Sequence, residues 1–141
     1  MTNDENRTAP GARGERKAFD LEERTGRFGE EVIKFCRGLT LDAITDPLVR
    51  QIVKSSTSVG ANYCEADDAV SKKEFRQKIG YCKKESRETK HWLRMIVAAD
   101  PSQAEKARVL WKEANELVLI FATIFRKLTE KKPARGKNGD Q

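Results

Sequence analysis

The chain has 141 residues, 38% hydrophobic and 35% charged, and its 28 Lys and Arg against 22 Asp and Glu leave a formal charge of +6. That length fits one domain, the nine glycines and four prolines are too few for a many-stranded sandwich, and no apolar run approaches the roughly 20 residues of a membrane span. Three cysteines, Cys36, Cys64 and Cys82, contain no Cys-x-x-Cys pair, which argues against a disulfide framework or a structural zinc site. With an N-terminus too polar for a signal peptide, the expectation is a cytoplasmic protein whose basic balance suits a polyanionic partner.

Residues 1–18 place Pro10, Gly11 and Gly14 among charges, with almost nothing large and apolar, and are expected to form a disordered arm. Residues 19–129 then repeat one pattern four times. The first segment puts Leu21, Thr25, Phe28, Val32, Phe35 and Leu39 at alternating spacings of four and three, one face of a helix. The second, from about Pro47 to Ala66, carries Ile52, Ser56, Val59, Tyr63 and Ala66 on the same rhythm, a face unusually small and polar. The third opens on Ser71-Lys72-Lys73-Glu74, a capping box, and continues through Phe75, Ile79, Cys82, Ser86, Thr89, Leu93 and Ile96. A second box, Ser102-Gln103-Ala104-Glu105, opens the fourth, whose face runs Ala107, Leu110, Ala114, Leu117, Phe121, Ile124, Leu128. Residues 130–141, with Lys131 and Lys132, are expected to form a flexible basic tail. Short connections between four long helices predict an all-α, antiparallel up-down-up-down four-helix bundle.

Beside the core face of the second helix lies a polar stripe that includes Ser55, Ser58, Asn62 and Glu65; the matching stripe of the third includes Glu85, Glu88 and Trp92. The spacing predicts a polar network between these helices, with Glu85 as partner of Asn62 and Glu65, and Lys54 as counter-charge; a ligand groove is the alternative. On the other side of the third helix, Arg76, Lys83, Arg87, Lys90 and Arg94 line up without an acid among them. Such a row suits a phosphate backbone, with Lys131 and Lys132 adding to it, unless acids of a neighbouring helix pair with it. The fourth helix carries a second apolar line, Trp111, Val118, Ala122 and Phe125, which is either the edge of a broad core stripe or a subunit contact.

The run from Gln51 to Ala66, with its serines and Asn62-Tyr63-Cys64-Glu65-Ala66, followed by Ser71, Glu74-Phe75, Lys84-Glu85, Glu88 and Trp92-Leu93, resembles the four-helix bundle proteins of the 23S rRNA intervening-sequence family. Ala66 stands where that motif usually ends in glycine. The resemblance covers about residues 20–129 and implies a bundle that assembles into a ring, typically a homopentamer. It favours subunit contacts at Trp111, Val118 and Phe125. Relatives include the accessory proteins of diversity-generating retroelements, which bind nucleic acid and a reverse transcriptase.

Catalytic and metal chemistry find little support. A two-metal carboxylate bundle needs two Glu-x-x-His pairs, and Glu88-Thr89-Lys90-His91 contains the one histidine of the chain. A nucleophile would lack a base for the same reason. The expectation is therefore a non-enzymatic homo-oligomeric adaptor without cofactor, binding RNA or DNA phosphates and a protein partner. The alternative is a ring-forming assembly protein that touches no nucleic acid.

Overall fold

The computed structural model describes the backbone of residues 13–130 and the side chains of residues 21–129. Four α-helices fill this span: α1 Arg13–Arg37, α2 Thr45–Asp67, α3 Lys72–Ala99 and α4 Ala104–Glu130, with one 3₁₀ turn, Pro101–Gln103, ahead of α4. Among the described residues there is no strand, and no helix is long and apolar enough to cross a membrane. α1 starts at Arg13, so residues 13–18, expected in the arm, are helical. Arg16, Lys17 and Ala18 are strong helix formers and carry the helix back beyond its amphipathic stretch. Residues 1–12 of that arm, and the tail beyond Glu130 with Lys131 and Lys132, lie outside the described residues.

The helix ends follow from local chemistry. α1 stops before Gly38, whose N–H closes a 3.1 Å bond on the Phe35 carbonyl. The Asp42 carboxylate accepts from the N–H groups of Ile44 and Thr45 at 2.9 and 2.8 Å, which holds its carboxyl below the usual range and starts α2 at Thr45. Pro47 then falls within the first turn, where its missing N–H costs nothing. At α3, the Ser71 hydroxyl accepts from the Glu74 N–H at 3.1 Å. The return bond of that box goes to the N–H of Val70, at 3.2 Å, one residue earlier than in the usual arrangement. The second expected box does not form. Asp100, ahead of Pro101, accepts from the N–H and the hydroxyl of Ser102 at 3.2 and 2.7 Å, so a carboxylate replaces Ser102 as the cap. Proline at the next position sets a 3₁₀ turn before α4 can begin.

The four predicted faces meet in one core. Val32, Ile52, Val59, Ile79, Cys82, Ile96, Ala114, Leu117 and Phe121 are fully buried, and Leu93 nearly so. α2 packs chiefly on α3 and α3 on α4; α1 packs on α2 and meets α4 sparingly. Two glycines lie where α1 and α2 approach each other, with room for no more than an ordinary Cβ contact. A Cβ on Gly29 would stand 3.5 Å from the Thr57 Cα, and one on Gly60 would stand 3.4 Å from the Thr25 hydroxyl. Where α1 meets α4, Arg24 donates to both oxygens of Glu113, at 2.7 and 2.9 Å, and to Glu116 at 2.6 Å. These partners raise the Arg24 pKa above its ordinary value, although partial exposure keeps the stabilisation of such pairs near about 1 kcal/mol or less.

Charge divides along the chain. Residues 21–70, containing most of α1 and all of α2, carry six basic and nine acidic side chains; residues 71–129, containing α3 and nearly all of α4, carry fourteen basic and seven acidic ones.

Candidate nucleic-acid interface

The polar stripes of α2 and α3 do meet, but with different partners from those expected. Ser55 and Thr89 share a buried hydrogen bond of 2.8 Å. Each hydroxyl also donates to a carbonyl of its own helix, Ser55 to Ile52 at 3.3 Å and Thr89 to Glu85 at 2.9 Å, so either can be the donor across the seam. Nearby, the Cys82 thiol donates to the Val59 carbonyl at 3.5 Å, and Ser86 bonds back to the Cys82 carbonyl at 2.8 Å. Small hydroxyls thus bring two helices close while every one of them is satisfied.

Glu65 pairs with Lys78 at 2.6 Å, not with Glu85. Asn62 is half-buried and bonds within its own helix, donating to the Ser58 carbonyl at 2.9 Å. Register explains both departures. Ser55 lies opposite Thr89 and Glu65 opposite Lys78, which leaves Glu85 at the level of Lys54 to Val59, more than a turn from Glu65. Lys54 does act on Glu85 electrostatically, as expected, together with Lys84. Burial outweighs them and, with Glu88, pushes the Glu85 carboxyl above the usual range. Trp92 is half-buried beside His91, their rings edge to face at 4.8 Å, and its indole N–H has no hydrogen-bond partner among the described residues.

A raised carboxyl pKa means that the folded state holds its proton more tightly than the unfolded chain does. Stability assigned to Glu85 is therefore full below the ordinary carboxylate pKa and declines as pH rises through the higher folded value. Glu85→Gln is expected to raise the thermal midpoint at neutral pH and to match wild type near pH 4, a difference that paired thermal melts would read.

The basic row lies along the α3–α4 groove, and here two sequence features become one. Arg76 and Lys83 stand over the Phe125 ring at 5.9 and 5.6 Å, and Lys90 stands over Trp111 at 4.6 Å. Lys90 also donates to the Asn115 side-chain oxygen at 2.7 Å. Gly80 makes the slot for Phe125, since a Cβ there would stand 3.3 Å from the ring. Each ring contact contributes about 0.5–1 kcal/mol at such a partly exposed site. Arg87 and Arg94 are exposed. None of the five cations is in an ion pair among the described residues, whereas Arg24, Arg27, Lys34, Arg50, Lys78 and Arg108 all are.

This arrangement changes the reading of the second apolar line on α4. Val118 is 7% exposed and Phe125 half-buried, both covered within the chain, while Trp111 is 39% exposed. A seven-residue spacing of Trp111, Val118 and Phe125 runs beside a seven-residue spacing of Arg76, Lys83 and Lys90, so the line packs on α3 before any second subunit arrives. The most exposed apolar side chains of α4 are Val109 at 66% and Leu119 at 59%.

Burial drives the Cys36 thiol up to about 11 and the Cys82 thiol up to about 12, and partial desolvation followed by nearby acids raises Cys64 as well, so all three stay protonated at neutral pH. Among the described residues no three His, Cys, Asp or Glu side chains come together as a metal site would require. An open depression at the α2–α3 turn, lined by Ala66, Asp67, Val70, Ser71, Lys72 and Phe75 among others, lies apart from the cation row.

A family profile described as 23S rRNA-intervening sequence protein matches residues 18–123. The chain belongs to that family. Its fold is similar to the crystal structure of a protein of unknown function from the S23 ribosomal protein family of Bacteroides thetaiotaomicron, with a TM-score of 0.71 and 24% identity over 78% of this chain and 98% of that one. No curated protein matches the chain. The match spans α2, α3 and most of α4, and so takes in both the hydroxyl seam and the cation row. In this member of the intervening-sequence family, sequence reasoning put the five cations on one face, with Gly80 in their row and Lys78 in the stripe facing α2, but gave no role to Gly80, Lys78 or Asn115. Gly80 was visible as a gap in the row, between Arg76 and Lys83; Asn115 carried no comparable signal.

Proposed function

We propose that the protein is a non-enzymatic, homo-oligomeric adaptor that binds the phosphate backbone of RNA or duplex DNA along the α3–α4 groove, with little preference for base sequence. The observation that carries this reading is the absence of acidic partners from Arg76, Lys83, Arg87, Lys90 and Arg94 among the described residues. The acids of α2 and α4 that do form inter-helix ion pairs, Glu65, Glu113 and Glu116, hold Lys78 and Arg24 instead. A row kept free of them, over about 27 Å of helix from residue 76 to residue 94, attracts a polyanion and releases its counterions. The deciding experiment is a titration of the protein against a labelled RNA duplex at several salt concentrations. Affinity should fall linearly on logarithmic axes, with a slope of about −4.5 if the five cations of one chain are engaged. No binding at low salt would leave the assembly reading in place instead.

The helices in this reading are antiparallel, up-down-up-down. The reversed numbering of facing residues supports it: Thr25 meets Gly60 while Gly29 meets Ser56, and Ser55 meets Thr89 while Glu65 meets Lys78. Self-association into a ring, a pentamer by the family resemblance, is supported by the exposed Val109 and Leu119. Light scattering behind a sizing column should return a multiple of 16.0 kDa at micromolar concentration, and a monomer would remove the ring. A protein partner such as a reverse transcriptase follows from the same resemblance, and action in the cytoplasm from the polar N-terminus; both belong to the proposal.

A further inference from the structure

We propose that Trp111 and Asn115 of α4 are positioning residues for Lys90, and that Phe125, seated over Gly80, does the same for Arg76 and Lys83, so that part of the phosphate-binding row is arranged before any ligand arrives. This inference rests on the nucleic-acid reading above and assigns roles to side chains that carry no charge of their own.

The geometry divides the row in two. Arg76, Lys83 and Lys90 recur every seven residues, about 10.5 Å along the helix, and each has an aromatic ring of α4 against it. Arg87 and Arg94, also seven apart, are exposed, and no ring stands against either of them. The seated cations are half-buried, so their aliphatic stems have lost part of their freedom in the unbound protein. Lys90 is held most closely. Its ammonium has three donors; one is taken by the Asn115 oxygen at 2.7 Å, the ring lies 4.6 Å away, and the remaining donors are free for phosphate oxygens. A long side chain that is already ordered loses less entropy when a phosphate binds. Gly80 serves the same end at the other part of the groove, because any side chain there would crowd the Phe125 ring on which two cations rest.

A positioning role and a direct charge contact differ in what they do to salt dependence. Removing a cation that neutralises a phosphate weakens binding and also makes the salt slope shallower by about 0.9. Removing a group that only orders the cation weakens binding and leaves the slope unchanged. The experiment measures affinity and salt slope for a labelled RNA duplex with wild type, Trp111→Leu, Trp111→Phe, Asn115→Ala, Lys90→Met and the double variant Trp111→Leu/Lys90→Met, with helix content followed by circular dichroism. Trp111→Leu and Asn115→Ala should each weaken binding about threefold to tenfold at constant slope. Trp111→Phe, which keeps a ring, should recover most of that loss. Lys90→Met should reduce the slope, and adding Trp111→Leu to it should have no further effect. Wild-type affinity in Trp111→Leu, or an undiminished effect of that change in the Lys90→Met background, would overturn the positioning role while leaving phosphate binding intact. Failure of wild type to bind at any salt would remove the nucleic-acid reading, and this inference with it.

Discussion

Reversing Lys83 and Arg87 to glutamate is expected to weaken binding to any RNA or DNA duplex by on the order of a hundredfold near 0.1 M salt, because each lost phosphate contact alone is worth about eightfold there. The slope of affinity against salt should become shallower by about two, and the loss should be alike for unrelated sequences, since phosphates carry no base information. The fold should persist. Arg87 is exposed and Lys83 gives up one contact with Phe125, a small fraction of the stability of a domain of this size. Lys34→Glu/Arg37→Glu on α1 makes the same change in net charge away from the groove, and its binding should stay within about threefold of wild type because salt screens distant charges. Equal losses for the two double variants, read by fluorescence anisotropy, would mean that net charge and not the row governs binding.

The largest expected loss of stability comes from Phe121→Ala, about 3–5 kcal/mol. Phe121 is wholly buried, lies 6.1 Å from the Tyr63 ring at 47°, and belongs to the cluster that joins all four helices. Removing its ring leaves a cavity that rigid helices on every side cannot close. Leu119→Ala, two residues away but 59% exposed, should change stability by no more than about 0.5 kcal/mol in the isolated chain. Denaturant titration of the two variants gives the comparison. If Leu119→Ala is instead strongly destabilising, and more so as the protein is diluted, Leu119 is covered by another subunit.

The sequence made faces legible, and neighbours much less so. Period and polarity alone place Val32, Ile52, Ile79 and Leu117 inside, because a helix must bury its apolar stripe against something. The same logic names Arg76 to Arg94 as one row. Which residue on one helix lies opposite which on another depends on how far the helices slide along each other, and that is set by the packing of the whole core. Glu65 was therefore matched to Glu85 when Lys78 is its partner. Phe125 was read as a subunit contact from its apolar line alone, which shows that something covers a helix but not what; within the chain Arg76 and Lys83 of α3 lie on its ring. At the α4 start, Asp100 and Ser102 both suit a cap, and local composition could not rank them once Pro101 inserted a 3₁₀ turn.

The unequal sharing of charge between the two halves of the chain bears on kinetics as well as on affinity. An excess of acids on residues 21–70 and of bases on residues 71–129 gives the molecule a large electric moment. If the chain binds a polyanion as proposed, the field would turn it so that α3 and α4 lead, and fewer encounters would be wasted on the wrong orientation. Association would then be fast at low salt and slow steeply as salt is added, with the acidic half contributing to that rate by being repelled.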